Sequence, residues 1–335
     1  MAESRLDVLS VGDVVTDAFI KLLDDEAKVE KTQNGMRLSM EYGSKLPFDH
    51  ATVVPAVGNS SNASVAFAKL GLKSGLVANI GDDNSGRDIQ QALAKAGVDR
   101  RFVHINPRKK SNYHYVLWYK DDRTILIKHE EYDYKWPRFR DVDIPAWVYF
   151  SSISQGAMDY HDDIADWLDA QADVKLAFQP GTFQLQAGVN RLKRIYARSE
   201  VLAVNREEAA LIAGGHHEDF HWLLDKLHEL GPRIVLISDG HNGAYASDGA
   251  SRYRMPIYPD PKPPFDRTGA GDAFTSTFVA AVIKGADIAG ALLWAPINAM
   301  SVVQKVGAQA GLLSEREIEH FLRIAPEKYH PERLR

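Results

Sequence analysis

The chain of 335 residues contains no cysteine. This excludes disulfides, thiolate zinc sites and a cysteine nucleophile, and it fits a cytoplasmic protein. Long apolar runs are also missing. The best of them, Ile288 to Ile297, is short and contains Pro296, so no membrane partner is expected. The opening segment "MAESRLDVLSVGDVV" is broken by Asp7 and Asp13 where a signal peptide would need an apolar core. Positive charge is not in excess. With 40 Lys and Arg against 45 Asp and Glu, the formal net charge is −5, which argues against a nucleic-acid partner. Two basic clusters, Arg108-Lys109-Lys110 and Arg138–Arg140, are short and lie near acids, so they read as solvated surface. No G-x-x-x-x-G-K-[ST] string occurs, which excludes a Walker A loop. Internal repeats, low-complexity tracts and flexible linkers are absent too, and residues 1–335 are expected to form one domain.

What is present is a βαβα rhythm. "LDVLSV" reads as a buried strand, as does "ATVV" at 51–54. "GNSSNASVAFAKLG" reads as a helix with a small-residue start and a glycine stop. "SGLVANIGDD", "AWVYFSSI", "KLAFQP", "VLAVN" and "RIVLISDG" read as further strands. "SGRDIQQALAKAGV", His161 to Ala172, "REEAALIAG" and "HWLLDKLHEL" read as helices between them. Such alternation predicts an α/β protein with a mostly parallel sheet covered on both faces. Ser314 and Glu317 form a capping-box pattern ahead of a last helix. Two stretches break the rhythm. Residues 19–50 are polar and mixed in period. Residues 111–128, "SNYHYVLWYKDDRTILIK", are aromatic and β-branched on both sides of "KDD", a hairpin pattern. Together they predict a small sheet standing off the body. Of Tyr113, Tyr115, Trp118 and Tyr119, strand alternation lets only part face one side, toward a ligand or toward lid core and dimer contacts.

Residues 266–274, "DRTGAGDAF", carry the strongest signal. Gly269 and Gly271 lack the third glycine of a dinucleotide fingerprint, and the preceding "PDPKPPFD" cannot be a buried strand. Phe274, Phe278, Ala281 and Val282 share one helical face, and Gly285 ends that helix. Thr268 to Asp272 therefore lie at a helix N-terminus, where unpaired N–H groups can cradle a phosphate. The same field would keep Asp272 ionised beside the cradle, ready to take a proton from an attacking hydroxyl. The alternative is that Asp272 only complements the dipole and Gly269 only eases a turn. "HHEDFH" at 216–221 suggests a metal site by composition, but its place after "GG" and before Trp222-Leu223-Leu224 favours a loop and helix start.

"DRTGAGDAF" resembles the C-terminal signature of the PfkB/ribokinase family of carbohydrate and nucleoside kinases, D-x-T-G-A-G-D-x-F. Further matches follow in family order over about residues 6–325. "VGDVVTD" is similar to the first strand and turn ending in a substrate-binding acid, here Asp17. "GNSSNASVAFAKLG" resembles the N-terminal glycine signature, with Gly58 and Asn62 at matching positions. Asn205 and Glu208 in "VNREEA" resemble an N-x-x-E motif, and "LISDGHNGA" a nucleotide segment bearing Ser238, Gly240 and Gly243. "GAQAG" at 307–311 resembles the segment near the adenine and a monovalent-cation loop. The chain departs from the pattern at Val57, in place of a second glycine, at Val15, in place of a polar substrate contact, and at Asn59, where ribokinases often carry a lysine. Pro296 is expected to interrupt the helix before "NAMSVVQKVG", which begins at Asn298 on the adenine side.

The resemblance implies a three-layer αβα ribokinase-like fold with a β-sheet lid at about 19–50 and 111–128, and a homodimer formed through that lid. It implies a phosphotransferase with an alcohol acceptor, moving the γ-phosphoryl of ATP to a hydroxyl of a small sugar, with Mg²⁺. A nucleoside acceptor and a non-catalytic sensor of a sugar or nucleotide are the alternatives. The implied catalytic set is Asp272 as base with Gly269, Ala270 and Gly271 as anion hole. Asn205, Glu208, Ser238, Gly240, Gly243 and Asn298 would face the nucleotide, with Glu208 holding Mg²⁺ through water. Asn205 and Glu208 also fit a helix cap and its N3 acid. Asp17, Gly58, Asn59 and Asn62 would face the acceptor, although Asp17 also reads as a simple turn acid. Asp266 and Thr268 are the candidates for a monovalent cation such as K⁺.

Overall fold

The computed structural model describes residues 5–33, 35–120, 122–215 and 219–334. Its strands are β1 Val8–Val11, β2 Val15–Leu22, β3 Lys28–Thr32, β4 Gly35–Ser39, β5 Phe48–Val57, β6 Ser74–Gly81, β7 Val103–Asn106, β8 Asn112–Tyr119, β9 Asp122–Leu126, β10 Trp147–Phe150, β11 Lys175–Phe178, β12 Ser199–Asn205, β13 Ile234–Ser238, β14 Ala244–Ser247, β15 Arg252–Met255 and β16 Glu332–Arg333. Its α-helices are α1 Asn59–Lys69, α2 Asn84–Lys95, α3 Met158–Ala170, α4 Thr182–Ala187, α5 Lys193–Arg198, α6 Arg206–Ala213, α7 Phe220–His228, α8 Ala270–Ile283, α9 Ile288–Val302 and α10 Glu315–Arg323.

The central sheet has the order β16-β15-β14-β13-β12-β11-β10-β1-β6-β7. From β13 to β7 every pairing is parallel, and β14 to β16 add an antiparallel edge. Side chains alternate between the faces with the period of two that a pleated strand imposes. Val8, Tyr149, Ala177, Val201 and Leu236 enter one apolar cluster with Phe67 of α1, Phe278 of α8 and Leu292 of α9. Their neighbours Leu9, Val148, Leu176, Leu202 and Val235 enter the other, with Ile164 of α3, Ile195 of α5 and Leu224 of α7. The strands read as unbroken apolar runs because both faces are covered. This is the expected three-layer αβα arrangement.

The lid is a second sheet of order β5-β2-β8-β9, and β3 with β4 forms a separate hairpin. Its first segment begins earlier and ends later than the expected 19–50, while β8 and β9 fall within the expected 111–128. Val15–Leu22 already belongs to it, and so does "ATVV" at 51–54, which was expected in the body. The cause is local. Gly12 to Val14 turn the chain between two apolar strands, and apolar content alone cannot tell a body strand from a lid strand. The lid rejoins the body at Ala56, which has a positive φ of 60° and whose carbonyl accepts from Ser61 Oγ and Gln309 Nε2.

Two other expectations meet the structure differently. Helix α9 continues through Pro296 rather than stopping there. Proline removes the donor that the Leu292 carbonyl would otherwise accept, and the next carbonyl, Leu293, also accepts the Tyr329 hydroxyl at 2.7 Å. In "HHEDFH", residues 216–218 lie outside the described residues. Asp219 caps α7 by accepting from the His221 and Trp222 N–H groups, the loop-and-helix reading. Among the described residues no helix is long and apolar enough to cross a membrane.

Candidate active site

Parallel strands end at one edge of a sheet, and here that edge gathers the polar residues. Gln179 follows β11, Asn205 ends β12, Ser238 ends β13 in register with Asn205, and the N-terminus of α8 closes the group. Gly269 is the N-cap of α8 in the left-handed conformation, φ 78°. A Cβ there would lie 2.2 Å from Ala308 Cβ, so glycine is required twice over, by φ and by space. Around Gly271 the opposite holds: a Cβ would meet nothing within 4 Å, and the helix start is open to a ligand.

Asp272 sits in the first turn of α8 and is only 8% exposed. Its Oδ1 accepts Asn59 Nδ2 at 2.8 Å and Gln179 Nε2 at 3.4 Å, and its Oδ2 accepts Asn62 Nδ2 at 2.8 Å. Asn59 and Asn62 are three apart in α1 and so share a face. Burial pushes the Asp272 carboxyl above the ordinary carboxylate range, and the amides of Asn62, Asn59 and Gln179 oppose this. The helix field was expected to keep Asp272 ionised; burial works against that, and the three neutral donors work for it. Gln179 was missed in the sequence, because a lone Gln after an apolar run carries no motif.

Next to Asp272 lies a cavity of about 270 Å³, lined by Gln179, Asn205, Glu208, Ser238, Gly271 and Thr275 among others. Ser238 and Gly271 also border a neighbouring, mostly apolar cavity of about 340 Å³ that contains Gly240, Gly243, Tyr258 and Met300. Asn205 and Glu208 form a reciprocal cap on α6, Asn205 N–H to Glu208 Oε2 and Glu208 N–H to Asn205 Oδ1, both 2.8 Å. The capping reading therefore holds while both residues face the cavity. Burial raises the Glu208 carboxyl, the backbone hydrogen bond from Asn205 opposes it, and the charges of Glu207 and Asp272 add to the rise. Asn298 stands apart. It is fully buried, donating to Thr277 Oγ1 at 2.7 Å and accepting the Leu313 N–H at 2.9 Å.

On the lid side Asp17 is the third residue of β2, not the end of the first body strand. It pairs in register with Val54 and His114. Val54 borders Gly307 of the body, so this face of the lid looks inward. His114 Nδ1 lies 3.3 Å from Asp17 Oδ1, and His129 Nδ1 lies 3.2 Å from Asp13 Oδ2. Tyr134 donates to Asp13 Oδ1 at 2.7 Å, and the two imidazoles are 5.3 Å apart. Among the described residues His114 Nε2 is buried without a hydrogen-bond partner. Asp13, His114 and His129 were not singled out in the sequence as site residues; the topology brings each histidine to an aspartate about a hundred residues earlier. Gly58, φ 109°, has a different task, because a Cβ there would lie 2.8 Å from the Asp13 carbonyl. It lets α1 start against the Asp13 backbone.

Asp266 and Thr268 are bonded to each other, Thr268 N–H and Oγ1 donating to Asp266 Oδ1 at 2.9 and 2.5 Å. Gly307 N–H donates to Asp266 Oδ2 at 2.8 Å, and Arg123 Nη1 of the lid reaches Oδ1 at 2.8 Å. This carboxylate already faces a cation of the chain itself, so a monovalent metal ion does not fit against it.

The profile of the "pfkB family carbohydrate kinase" matches residues 41–315. The chain belongs to this family. Its members are phosphotransferases acting on an alcohol group. A ribokinase of Bacillus subtilis is 25% identical over 272 residues, spanning 79% of this chain and 87% of that protein. A nucleoside kinase of Methanothermobacter thermautotrophicus is 24% identical over 322 residues, spanning 93% of this chain and 94% of its own. The structure of Arabidopsis thaliana ribokinase complexed with ribose and ATP superposes with a TM-score of 0.77 at 21% identity, covering 95% of this chain and 99% of that one. In this chain the edge of the sheet and the α8 N-terminus meet at Asp272, and the lid reaches the neighbouring Asp266 through Arg123.

Proposed function

We propose that this protein transfers the γ-phosphoryl of ATP to a hydroxyl of a small sugar, with Asp272 as general base. The observation that carries the reading is a carboxylate raised by burial and placed beside an open helix N-terminus. A raised carboxylate is a stronger base than an ordinary one. Asn59, Asn62 and Gln179 hold its two oxygens in place. The acceptor hydroxyl would donate to Asp272 and its proton would pass there. Gly269, Ala270 and Gly271 would offer N–H groups to the charge on the transferred phosphoryl. The cavities fit a nucleotide: the apolar one suits a base, and the polar one, with open space at Gly271, suits phosphates. Asn205 and Glu208 would face Mg²⁺ through water, consistent with an oxygen-preferring ion that keeps its hydration. Bound Mg²⁺ would supply charge neutralisation at the phosphates.

On the acceptor side, Asp13, Asp17, His114 and His129 present donors and acceptors to a polyhydroxylated ligand. The nucleoside reading leaned on the lid aromatics. Tyr113 and Tyr115 alternate with inward-facing His114 and pack against each other at a tilt, and Trp118 packs edge-on against Phe265 at 5.3 Å. Tyr119 is buried with its hydroxyl on the Asp24 carbonyl. These positions leave none of the four for a nucleobase and favour a sugar. The intact Asp272 cluster weighs against a silent sensor. ATP consumption against a panel of sugars and nucleosides decides the matter: turnover confined to sugars is expected, and turnover of nucleosides alone would overturn the acceptor.

The outer lid face exposes Val53 at 57%, Tyr115 at 49% and Leu126 at 51%, in adjoining register across the sheet. This face is our candidate for the homodimer contact, in a protein we place in the cytoplasm. Sedimentation should show a dimer that Tyr115→Asp converts to monomer.

A further inference from the structure

We propose that Arg123 is a positioning residue that supplies, from the lid, the positive charge opposite Asp266, so that the reaction needs no monovalent metal ion. The proposal rests on the kinase reading above. Asp266 is nine-tenths buried, with a side chain 9% exposed, and a buried carboxylate requires compensation. Its two oxygens receive Thr268 N–H, Thr268 Oγ1, Gly307 N–H and Arg123 Nη1, of which only the last brings charge.

These bonds sit under the anion cradle. Asp266 is three residues before Gly269, and Gly307 is one residue before Ala308, against which Gly269 packs. The carboxylate thus ties together the two backbone segments whose contact sets the left-handed turn of Gly269 and the direction of the first N–H groups of α8. Arg123 lies in β9 directly opposite Trp118 of β8, and Trp118 packs on Phe265, the residue before Asp266. The same strand β8 carries His114, one face-repeat pair away from Trp118, beside Asp17. One strand pair therefore holds both the acceptor contacts and the grip on the cradle. A docked lid and a set cradle are one event, and the guanidinium cannot diffuse away as a solution ion would.

The test uses the full chain in buffers containing K⁺, Na⁺ or tetramethylammonium as the only monovalent cation. Sugar turnover and ADP affinity by calorimetry are both measured. The wild type should be indifferent to the cation in both readouts. Arg123→Ala should lose about tenfold or more in kcat, the scale of one charged hydrogen bond. It should regain part of this with K⁺ or added guanidinium, and Arg123→Lys should keep most of the wild-type rate. A wild type that requires K⁺, or an Arg123→Ala variant equal to wild type in every salt, would overturn the proposal. If no acceptor is turned over, the kinase reading fails separately, and ADP affinity still decides the role of Arg123: it should weaken and become K⁺-dependent in the alanine variant alone. Thermal melts exclude unfolding, and Arg123→Lys carries the test if the alanine variant does not fold.

Discussion

The wall that holds Asp272 and the lid that meets the body at Asp266 and Gly307 have very different support. From Asp272 to Ala281 every residue of α8 is buried, packed between α1, α9 and the central sheet. The lid has one inward face with Asp17, His114 and Trp118, and one outward face left to solvent. The first region keeps its geometry by packing, since a close-packed interior yields little. The second keeps it through strand register and a few polar grips, Arg123 on Asp266 and the Asp–His pairs. In the proposed reading, phosphate chemistry belongs to the packed side and acceptor choice to the lid.

The contrast can be broken most severely at Asp272. Asp272→Asn should lower turnover by roughly 10²–10⁴, the worth of a general base, while ADP binding persists. A carboxyl raised in the folded state costs stability once ionised, so the variant's melting temperature at neutral pH should equal or exceed that of the wild type. As pH falls through the raised value, wild-type Asp272 takes up its proton, this gap should close, and wild-type turnover should fall. Equal turnover of variant and wild type would remove Asp272 from the chemistry.

On the lid, substitutions at the Asp17–His114 contacts, away from Arg123, should act on the acceptor alone. His114→Ala should raise the acceptor KM by about tenfold, the scale of a lost buried hydrogen bond, with the ATP KM unchanged. A matching rise in both would show that the lid is not a separate acceptor wall. The two glycines sharpen the comparison from the rigid side. Gly269→Ala meets Ala308 and an unfavourable φ, and should destabilise the fold by about 1–3 kcal/mol in denaturant melts. Gly271→Ala meets open space, should melt near wild type, and should weaken nucleotide binding instead. The mildest change is Asn59→Lys. It would place an ammonium beside Asp272, lower its pKa, and move the acidic limb of the rate profile to lower pH. No movement of that limb would mean that another group sets it.

The rigid half was largely legible in the sequence. "DRTGAGDAF" combines a helix period, two glycines and a first-turn acid, and such local rules survive folding. The capping boxes at Asn205–Glu208 and Ser314–Glu317 were legible for the same reason. The lid was legible only as a breach of rhythm. Its limits moved because "ATVV" and "VVTDAFI" are as apolar as body strands, and the sheet a strand joins is decided by partners far along the chain. Asn298, placed by motif order, proved to be a buried bracket between Thr277 and Leu313.

By itself the sequence determined the alternating α/β elements, the start of α8 that we propose as the cradle, and the acid in its first turn. These depend on propensity, period and capping, all within a few residues. Tertiary structure alone decided that Gln179 joins Asn59 and Asn62 on Asp272, that two histidines meet two aspartates under the lid, and that Arg123 stands opposite Asp266. Each of these joins residues dozens to hundreds of positions apart. Only the packed fold sets the distances and the burial that turn such residues from surface charges into a site.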